Sequence, residues 1–133
     1  AFRDVAGGFC FFNNSGIAAE HLLRHAKRVA ILDVDLHHGN GTQGMFYERA
    51  DVLTVSIHAD PVRFYPFFWG HADERGEGLG LGYNLTLPLA RKSGDAVYLE
   101  ALAAAIRRVE AFSPDVPEAS KGLVGLFIHT STP

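Results

Sequence analysis

The 133-residue chain is the size of one domain, and with 47% hydrophobic and 20% charged residues it can form a packed globular core. Its net charge of −3 gives no reason to expect nucleic acid or a membrane surface as a partner. The single cysteine, Cys10, excludes an internal disulfide, and no apolar run approaches the ~20 residues that span a bilayer. No secretory leader is visible, so we expect a cytoplasmic location.

The first part of the chain predicts a helix followed by a buried strand. The helix should begin at a capping residue, which is Asn13, Asn14 or Ser15, and should continue to about Lys27. An apolar run rich in β-branched residues predicts the strand over residues 29–35.

The middle of the chain predicts two more strands and a long loop between them. After a Gly-Asn-Gly turn we expect Thr42 to cap a short helix, and residues 52–58 predict a strand. Residues 59–82 are rich in Gly and aromatic residues and show no periodicity, and loops of this length are often functional. Alternating apolar residues predict the next strand over 83–89.

A long helix and one more strand complete the pattern. Ser93 or Asp95 should open a helix to Phe112, because its apolar residues recur at helical spacing. Residues 122–128 are consistent with a last strand. Strands that alternate with helices predict an α/β fold with a parallel sheet flanked by helices. Ligands of such sheets bind at the carboxyl ends of the strands.

The strand over 29–35 runs directly into the sequence DVDLHHG. Because strand side chains alternate between faces, we expect Asp33, Asp35 and His37 to share one face. Two carboxylates raise each other's pKa unless a cation separates them, so a bound metal is the simplest interpretation. Oxygen and nitrogen ligands suit zinc or iron(II). A solvated turn with incidental charges is the alternative.

Several motifs, in the same order and with similar spacing, resemble those of the zinc-dependent deacetylases, which include the histone deacetylases and bacterial relatives. These motifs are the segments 8–14, 33–43 and 56–58. Four further segments are most similar to the acetylpolyamine amidohydrolase branch, namely 64–66, 70–74, 76–78 and 84–89. The resemblance covers residues 4 to about 115. It implies an arginase-like fold and hydrolysis of an acetamide, such as N-acetyl-lysine or an acetylated polyamine.

The resemblance also implies three sets of metal ligands. Asp35 and His37 would be two of the three zinc ligands. A structural potassium site beside the zinc would use Asp33, the backbone carbonyls of Asp35 and His37, the Ser56 hydroxyl and the Ile57 carbonyl. A second monovalent-cation site would use the backbone carbonyls of Phe46, Arg49, Val52 and Tyr83.

Other residues would shape the site without binding zinc. By the same resemblance, Gly8 and Phe9 would line the tunnel for the acylated amine, and Tyr65 would form the opposite wall. We expect His58 to support the site from behind rather than to bind metal. His38 either does the same or is a turn histidine with satisfied hydrogen bonds.

The loop over 59–82 carries two further groups of interest. His71, Asp73 and Glu74 could mimic a separate metal cluster, but we favour a role in the loop because they belong to a motif of the resemblance. The aromatic residues 67–69 could line a substrate mouth, form an oligomer interface or pack within the loop.

The resemblance places a tandem histidine, a third zinc-ligand aspartate and a catalytic tyrosine outside the motifs found here. We therefore expect 1–115 to be a partial deacetylase-like domain and 116–133 to be a divergent C-terminal tail of that domain. Two ligands hold zinc weakly, so weak or absent activity is expected. An exposed sheet surface favours a homo-oligomer. The alternatives are a non-catalytic remnant or binding module, and an enzyme completed by a second subunit.

Overall fold

Within residues 1–115, three parallel strands form a sheet in the order β1-β2-β3. The computed structural model describes residues 1–115. The strands are β1 (Val29–Asp33), β2 (Val52–Ala59) and β3 (Asn84–Leu89). The helices are α1 (Asn14–Leu22), α2 (Asn40–Phe46) and α3 (Asp95–Phe112), with 3₁₀ turns at Pro61–Arg63 and Gly78–Gly80. The predicted α/β fold with a parallel sheet flanked by helices is confirmed.

The two faces of the sheet pack against different helices. On one face, the apolar side chains of β1 and β2 pack against α3, where Ala105, Val109 and Phe112 are buried. On the other face, Val29 and Ile31 of β1 pack with Ala19 of α1 and with Phe46 of α2. This division follows from the alternation of side chains along each strand.

On the α1 and α2 face, the sheet becomes polar toward the carboxyl ends of its strands. Thr54, Ser56 and His58 are all buried, and they alternate along β2 with apolar residues that face α3. The register places Asp33 of β1 opposite Ser56, and Ser56 opposite Thr86 of β3. A row of polar side chains therefore crosses the sheet where ligands of parallel sheets bind.

Helix α1 is capped as predicted but ends earlier than expected. The Asn13 side chain accepts a hydrogen bond from the Gly16 amide, at 2.8 Å. The helix ends at Leu22 rather than near Lys27, and the following turns contain shorter-range hydrogen bonds. The Asp115 carboxylate accepts hydrogen bonds from the Lys27 and Arg28 amides, at 2.6 and 3.1 Å, so these amides are paired without a helix.

The cap predicted for α2 is wrong. The helix begins at Asn40, with Gly39 as its N-cap, and the Gln43 amide donates to the Gly39 carbonyl. The expected turn is thus the first turn of the helix, and Thr42 lies inside it. Its hydroxyl is paired with the Asn13 side chain, at 3.0 Å.

The remaining boundaries are close to those predicted. Strand β1 ends at Asp33, two residues early, while β2 and β3 fall within one residue of expectation. Helix α3 begins at Asp95 and ends at Phe112. The strand predicted over 122–128 lies outside the described residues. Within residues 1–115, no helix is long and apolar enough to cross a membrane. The predictions on location and partners stay predictions.

Candidate metal centre

Asp33, Asp35 and His37 are brought together by two successive turns. The Asp35 amide donates to Oδ1 of Asp33 at 3.0 Å, and the His37 amide donates to Oδ1 of Asp35 at 2.7 Å. Such turns, in which an aspartate accepts from the backbone two residues later, compete with strand pairing. The three side chains line one cavity, although β1 ends at Asp33. Convergence therefore results from the turns and not from strand alternation.

The Asp35 and His37 side chains have a spacing that fits zinc. Oδ1 of Asp35 lies 3.3 Å from Nδ1 of His37. Two ligand atoms about 2.0–2.1 Å from a tetrahedral zinc ion are about 3.4 Å apart. The pair therefore has the geometry of one edge of a zinc tetrahedron. Within residues 1–115, no cluster of three or more His, Cys, Asp or Glu side chains could hold a metal. The described residues thus supply one edge of such a site.

Phe64 holds the His37 ring in place. The sequence did not predict this contact. The two rings are stacked, with centroids 4.9 Å apart and planes inclined by 19°. Tyr65 meets the same imidazole edge-on, with centroids 6.1 Å apart. A ring held on two sides keeps its Nδ1 directed at Asp35. The sequence did offer one indication of the Phe64 contact, because Phe64 directly precedes Tyr65, which was predicted to line the cavity.

A cavity of about 510 Å³ joins this metal edge to the predicted substrate residues. Gly8, Phe9 and Tyr65 line it together with Asp35 and His37. Gly8 and Phe9 both have positive φ, 61° and 59°. This backbone conformation is unusual for a bulky residue such as Phe9. It leaves the Phe9 side chain fully exposed, at 100% of its surface.

The residues of the first predicted potassium site are adjacent in the sheet. Asp33 lies opposite Ser56, and Nε2 of His58 lies 2.9 Å from the Gly70 carbonyl. A carbonyl can only accept, so Nε2 carries the proton. Burial lowers the pKa of His58, which keeps it neutral. The Ser56 hydroxyl must then donate to Nδ1 of His58, 2.8 Å away, and its lone pairs can face a cation.

Ile57 fits the same site only through its backbone, since its side chain is buried in the core with α3. The second predicted cation site lies at the other end of the sheet. Phe46 ends α2, and Val52 begins β2. The Phe46 carbonyl accepts from the Arg49 amide, and the Tyr83 carbonyl accepts from the Thr54 amide, both at 3.0 Å. Each carbonyl keeps a second lone pair for a cation.

The imidazole of His38 is buried. Neither ring nitrogen has a hydrogen-bond partner among the described residues that meets the usual distance and angle. The two roles expected for His38 stay predictions. Its ring centroid lies 4.5 Å from that of His58. Burial and the neighbouring His58 lower the pKa of His38 to about 4, and Glu74 and Gln43 only partly offset this effect. His38 is therefore neutral near pH 7.

The model of the histone deacetylase domain matches residues 1–123. The chain belongs to the histone deacetylase family. This confirms the resemblance inferred from the motifs. The match extends beyond residue 115, where we predicted that a divergent tail begins, and that boundary stays a prediction.

Histone deacetylase family members with high identity to this chain include several acetylpolyamine amidohydrolases. Acetylpolyamine amidohydrolase 2 of Pseudomonas aeruginosa is 56% identical over 124 residues, which are 92% of this chain and 36% of the relative. The acetylpolyamine amidohydrolase of Mycoplana ramosa is 46% identical over 121 residues, 90% of this chain and 36% of the relative. The chain thus spans about a third of the length of these relatives.

Solved structures confirm the fold of the family. The crystal structure of acetylpolyamine aminohydrolase from Burkholderia pseudomallei matches with a TM-score of 0.86 and 52% identity, over 87% of this chain and 34% of the other. A histone deacetylase homologue from Aquifex aeolicus matches with a TM-score of 0.83 and 40% identity, over 87% and 32%. Zinc dependence is general in this family, so zinc is the metal against which the spacing of Asp35 and His37 is best judged.

Proposed function

We propose that this chain is part of a zinc-dependent amidohydrolase that removes acetyl groups from acetylpolyamines or acetyl-lysine. The observation that carries the proposal is the 3.3 Å separation of Asp35 Oδ1 and His37 Nδ1 in the cavity that Gly8, Phe9 and Tyr65 line. The names of relatives that are 46–56% identical favour an acetylated polyamine.

Several side chains in or beside the cavity have a task in this proposal. Asp35 and His37 would hold zinc, and the bound zinc would act as a Lewis acid toward the acetamide carbonyl. Phe64 keeps the His37 imidazole in the ligating orientation by stacking on it. Tyr65 and Phe9 offer aromatic surface to the methylene stem that polyamines and lysine share, and so exclude water from it.

The general base is assigned to none of the described residues. A base acts best when its pKa is near the working pH, and the pKa of His38 is lowered to about 4. His38 is thus a poor base, although it lines the cavity. We propose that a third zinc ligand, the base and the oxyanion donor belong to segments other than residues 1–115, as the resemblance implies.

Two potassium ions complete the proposed cofactor set. The first would bind Asp33, the Ser56 hydroxyl and the Ile57 carbonyl. Support comes from the hydroxyl orientation that His58 imposes on Ser56. The second would bind the carbonyls of the four residues predicted for it, which are Phe46, Arg49, Val52 and Tyr83. Iron(II) suits the same ligands as zinc and is an alternative for the catalytic metal.

We also propose that the chain associates with copies of itself. Phe11, Phe12 and Phe68 are all largely exposed in the described part of the chain. Apolar side chains of this size favour burial at an interface. Size-exclusion chromatography would test this, and a monomer at all concentrations would contradict it.

The proposed function is tested by the metal content of the whole protein that contains this chain, untagged and dialysed against trace zinc. About one zinc per chain, with turnover of an acetylated diamine or a fluorogenic acetyl-lysine substrate, would support it. Near-zero zinc and no turnover would contradict it and would favour the non-catalytic alternative. Comparing the two substrates at equal concentration decides between polyamine and lysine.

A further inference from the structure

The carboxylate of Glu74 accepts hydrogen bonds from three donors. The Gly70 amide lies 2.9 and 3.0 Å from its two oxygens, and the His71 amide lies 3.0 Å from Oε1. The Gln43 side chain donates to Oε2. Burial alone would raise the pKa of Glu74, but these donors lower it, so the group is ionised near pH 7. Charge-assisted bonds of this kind are the strong ones.

This carboxylate is tied to the core of the sheet. Gln43 of α2 and Asn84 of β3 are both buried. The Asn84 side chain donates to Oε1 of Gln43 at 3.1 Å and to the Glu74 carbonyl at 2.7 Å. The Thr54 hydroxyl pairs with Asn84 at 2.6 Å. Glu74 is therefore anchored on rigid elements, and it holds the backbone of the loop before it.

The loop held by Glu74 contacts the metal edge. His71 donates through Nε2 to the Phe67 carbonyl at 3.1 Å, and the Phe67 amide donates to the Phe64 carbonyl at 2.9 Å. Phe64 stacks on His37, and Tyr65 meets the same ring edge-on. Contacts are thus continuous from the anchor to the cavity wall.

The loop cannot move closer to the sheet at Gly70. A Cβ on Gly70 would lie 2.7 Å from the His38 ring and 2.8 Å from Nε2 of His58. The backbone therefore already touches the two histidines. Movement away from the sheet is opposed by the Glu74 carboxylate, which accepts from the Gly70 and His71 amides. Thr86 and His58 donate to the carbonyls of the same two residues.

We propose that Glu74 is a positioning residue for substrate binding: it fixes the loop that carries Phe64 and Tyr65 and thereby sets the width of the cavity. This inference rests on the proposed function. It concerns a residue that touches neither the metal edge nor the cavity.

The test compares Glu74→Gln with Asp73→Asn in the zinc-loaded whole protein, which includes the segments that we propose carry the third zinc ligand and the general base. Glutamine has the same shape as glutamate, but only one of its two terminal atoms accepts, so three donors can no longer be satisfied. Asp73 is exposed, and its substitution removes the same charge one residue away. The rate of amide hydrogen exchange at Gly70 and His71 measures how firmly Glu74 holds the loop, and this measurement depends neither on zinc nor on turnover. We expect exchange to become at least about tenfold faster in Glu74→Gln and to stay unchanged in Asp73→Asn.

Steady-state kinetics with the acetylated amine measure the consequence for substrate binding. We expect Glu74→Gln to raise KM about fivefold with kcat changed less than about twofold, since apolar contacts along the substrate stem are weakened. A general loss of stability would lower the amount of active protein and leave KM unchanged. A second variant, Thr86→Val, removes the 2.6 Å bond to the His71 carbonyl and should raise KM in the same direction by less.

Three results would overturn the proposal. Unchanged exchange in Glu74→Gln would mean that Glu74 does not hold the loop. Faster exchange with an unchanged KM would mean that the loop does not set the cavity. An equal KM rise in Asp73→Asn would mean that only charge matters. The absence of turnover in the unsubstituted protein is a separate result. It would refute the proposed function and with it the substrate role, while exchange would still report the anchor.

Discussion

The two ends of the sheet differ in how a polar side chain is paired: an ion pair lies at the amino end, and a buried histidine ring without a hydrogen-bond partner in the described chain lies at the carboxyl end. At the amino end, Arg49 bonds Asp51 through two nitrogens, at 2.9 and 2.7 Å, and its guanidinium lies 5.2 Å from the Phe46 ring centroid. The hydrogen bond from Arg49 lowers the pKa of Asp51. At the carboxyl end, His38 is buried with neither ring nitrogen hydrogen-bonded in the described chain.

This difference indicates which end serves ligand binding. A buried polar group without a partner costs free energy, about 1–3 kcal/mol, so such groups are rare outside functional sites. The costly His38 ring lies at the carboxyl end, beside Asp33, Asp35 and His37. At the amino end the charged side chains of Arg49 and Asp51 are paired with each other, which favours stability. Substitution of the Asp33, Asp35 or His37 side chain should therefore change zinc or substrate binding, whereas substitution within the Arg49–Asp51 pair should change stability alone.

Asp35→Ala should have the largest effect. Removal of one edge of the proposed zinc tetrahedron should reduce zinc to well below one per chain and turnover by at least about 10³-fold. Elemental analysis and the acetyl-lysine assay measure both. Full turnover in this variant would mean that the activity arises at another site or from a contaminant.

Alanine substitution at two glycines of positive φ should distinguish the cost of a steric clash from the cost of backbone strain. At Gly70, with φ 96°, a Cβ would clash with His38 and His58, and we expect Gly70→Ala to destabilise by about 3 kcal/mol. At Gly78, with φ 54°, a Cβ meets nothing within 4 Å, so Gly78→Ala should cost only about 1 kcal/mol. Urea unfolding measures both, and equal losses would refute the close packing at Gly70.

The metal-free protein should lose stability in mild acid through His38. Its folded pKa of about 4 lies below the ordinary 6.5, so the unfolded chain binds the proton first as pH falls. The stabilisation that comes from the neutral His38 imidazole is fully present above about pH 6.5. It is lost as the pH falls to about 4, which lowers the free energy of unfolding by about 3 kcal/mol. His38→Phe should remove this part of the pH dependence without loss at pH 7.5. Identical pH profiles of the two proteins, from urea unfolding, would contradict the burial of a neutral His38.

Asp51→Asn should have the smallest effect. The pair with Arg49 is partly exposed, with 29% and 40% of the side-chain surface accessible, so its loss should cost under about 1 kcal/mol at pH 7. Because the folded pKa of Asp51 lies below the ordinary 3.8, the difference from the unsubstituted protein should disappear as pH falls below that value. Zinc content and KM should be unchanged, and a change in either would weaken the contrast between the two ends.

Local pattern was sufficient for most elements. The apolar strands β1 and β2 and the periodic helix α3 were predictable because one residue type repeats at a fixed spacing. The end of α1 was not, because Asp115, far away in sequence, pairs the Lys27 and Arg28 amides. The cap of α2 was predicted wrongly for a similar reason. The Thr42 hydroxyl accepts a hydrogen bond from the Asn13 side chain, which is far away in sequence.

The candidate site divides in the same way. Asp33, Asp35 and His37 converge through bonds between residues two apart, so their chemistry and their closeness are properties of the local sequence. The motifs also determined the family. Only the tertiary structure decided that Phe64 stacks on His37 and that Glu74 anchors the loop on Gln43 and Asn84. It also decided that the ring nitrogens of His38 meet no hydrogen-bond partner within residues 1–115. These contacts join residues on separate elements, and the packing of the sheet against its helices determines which of them meet.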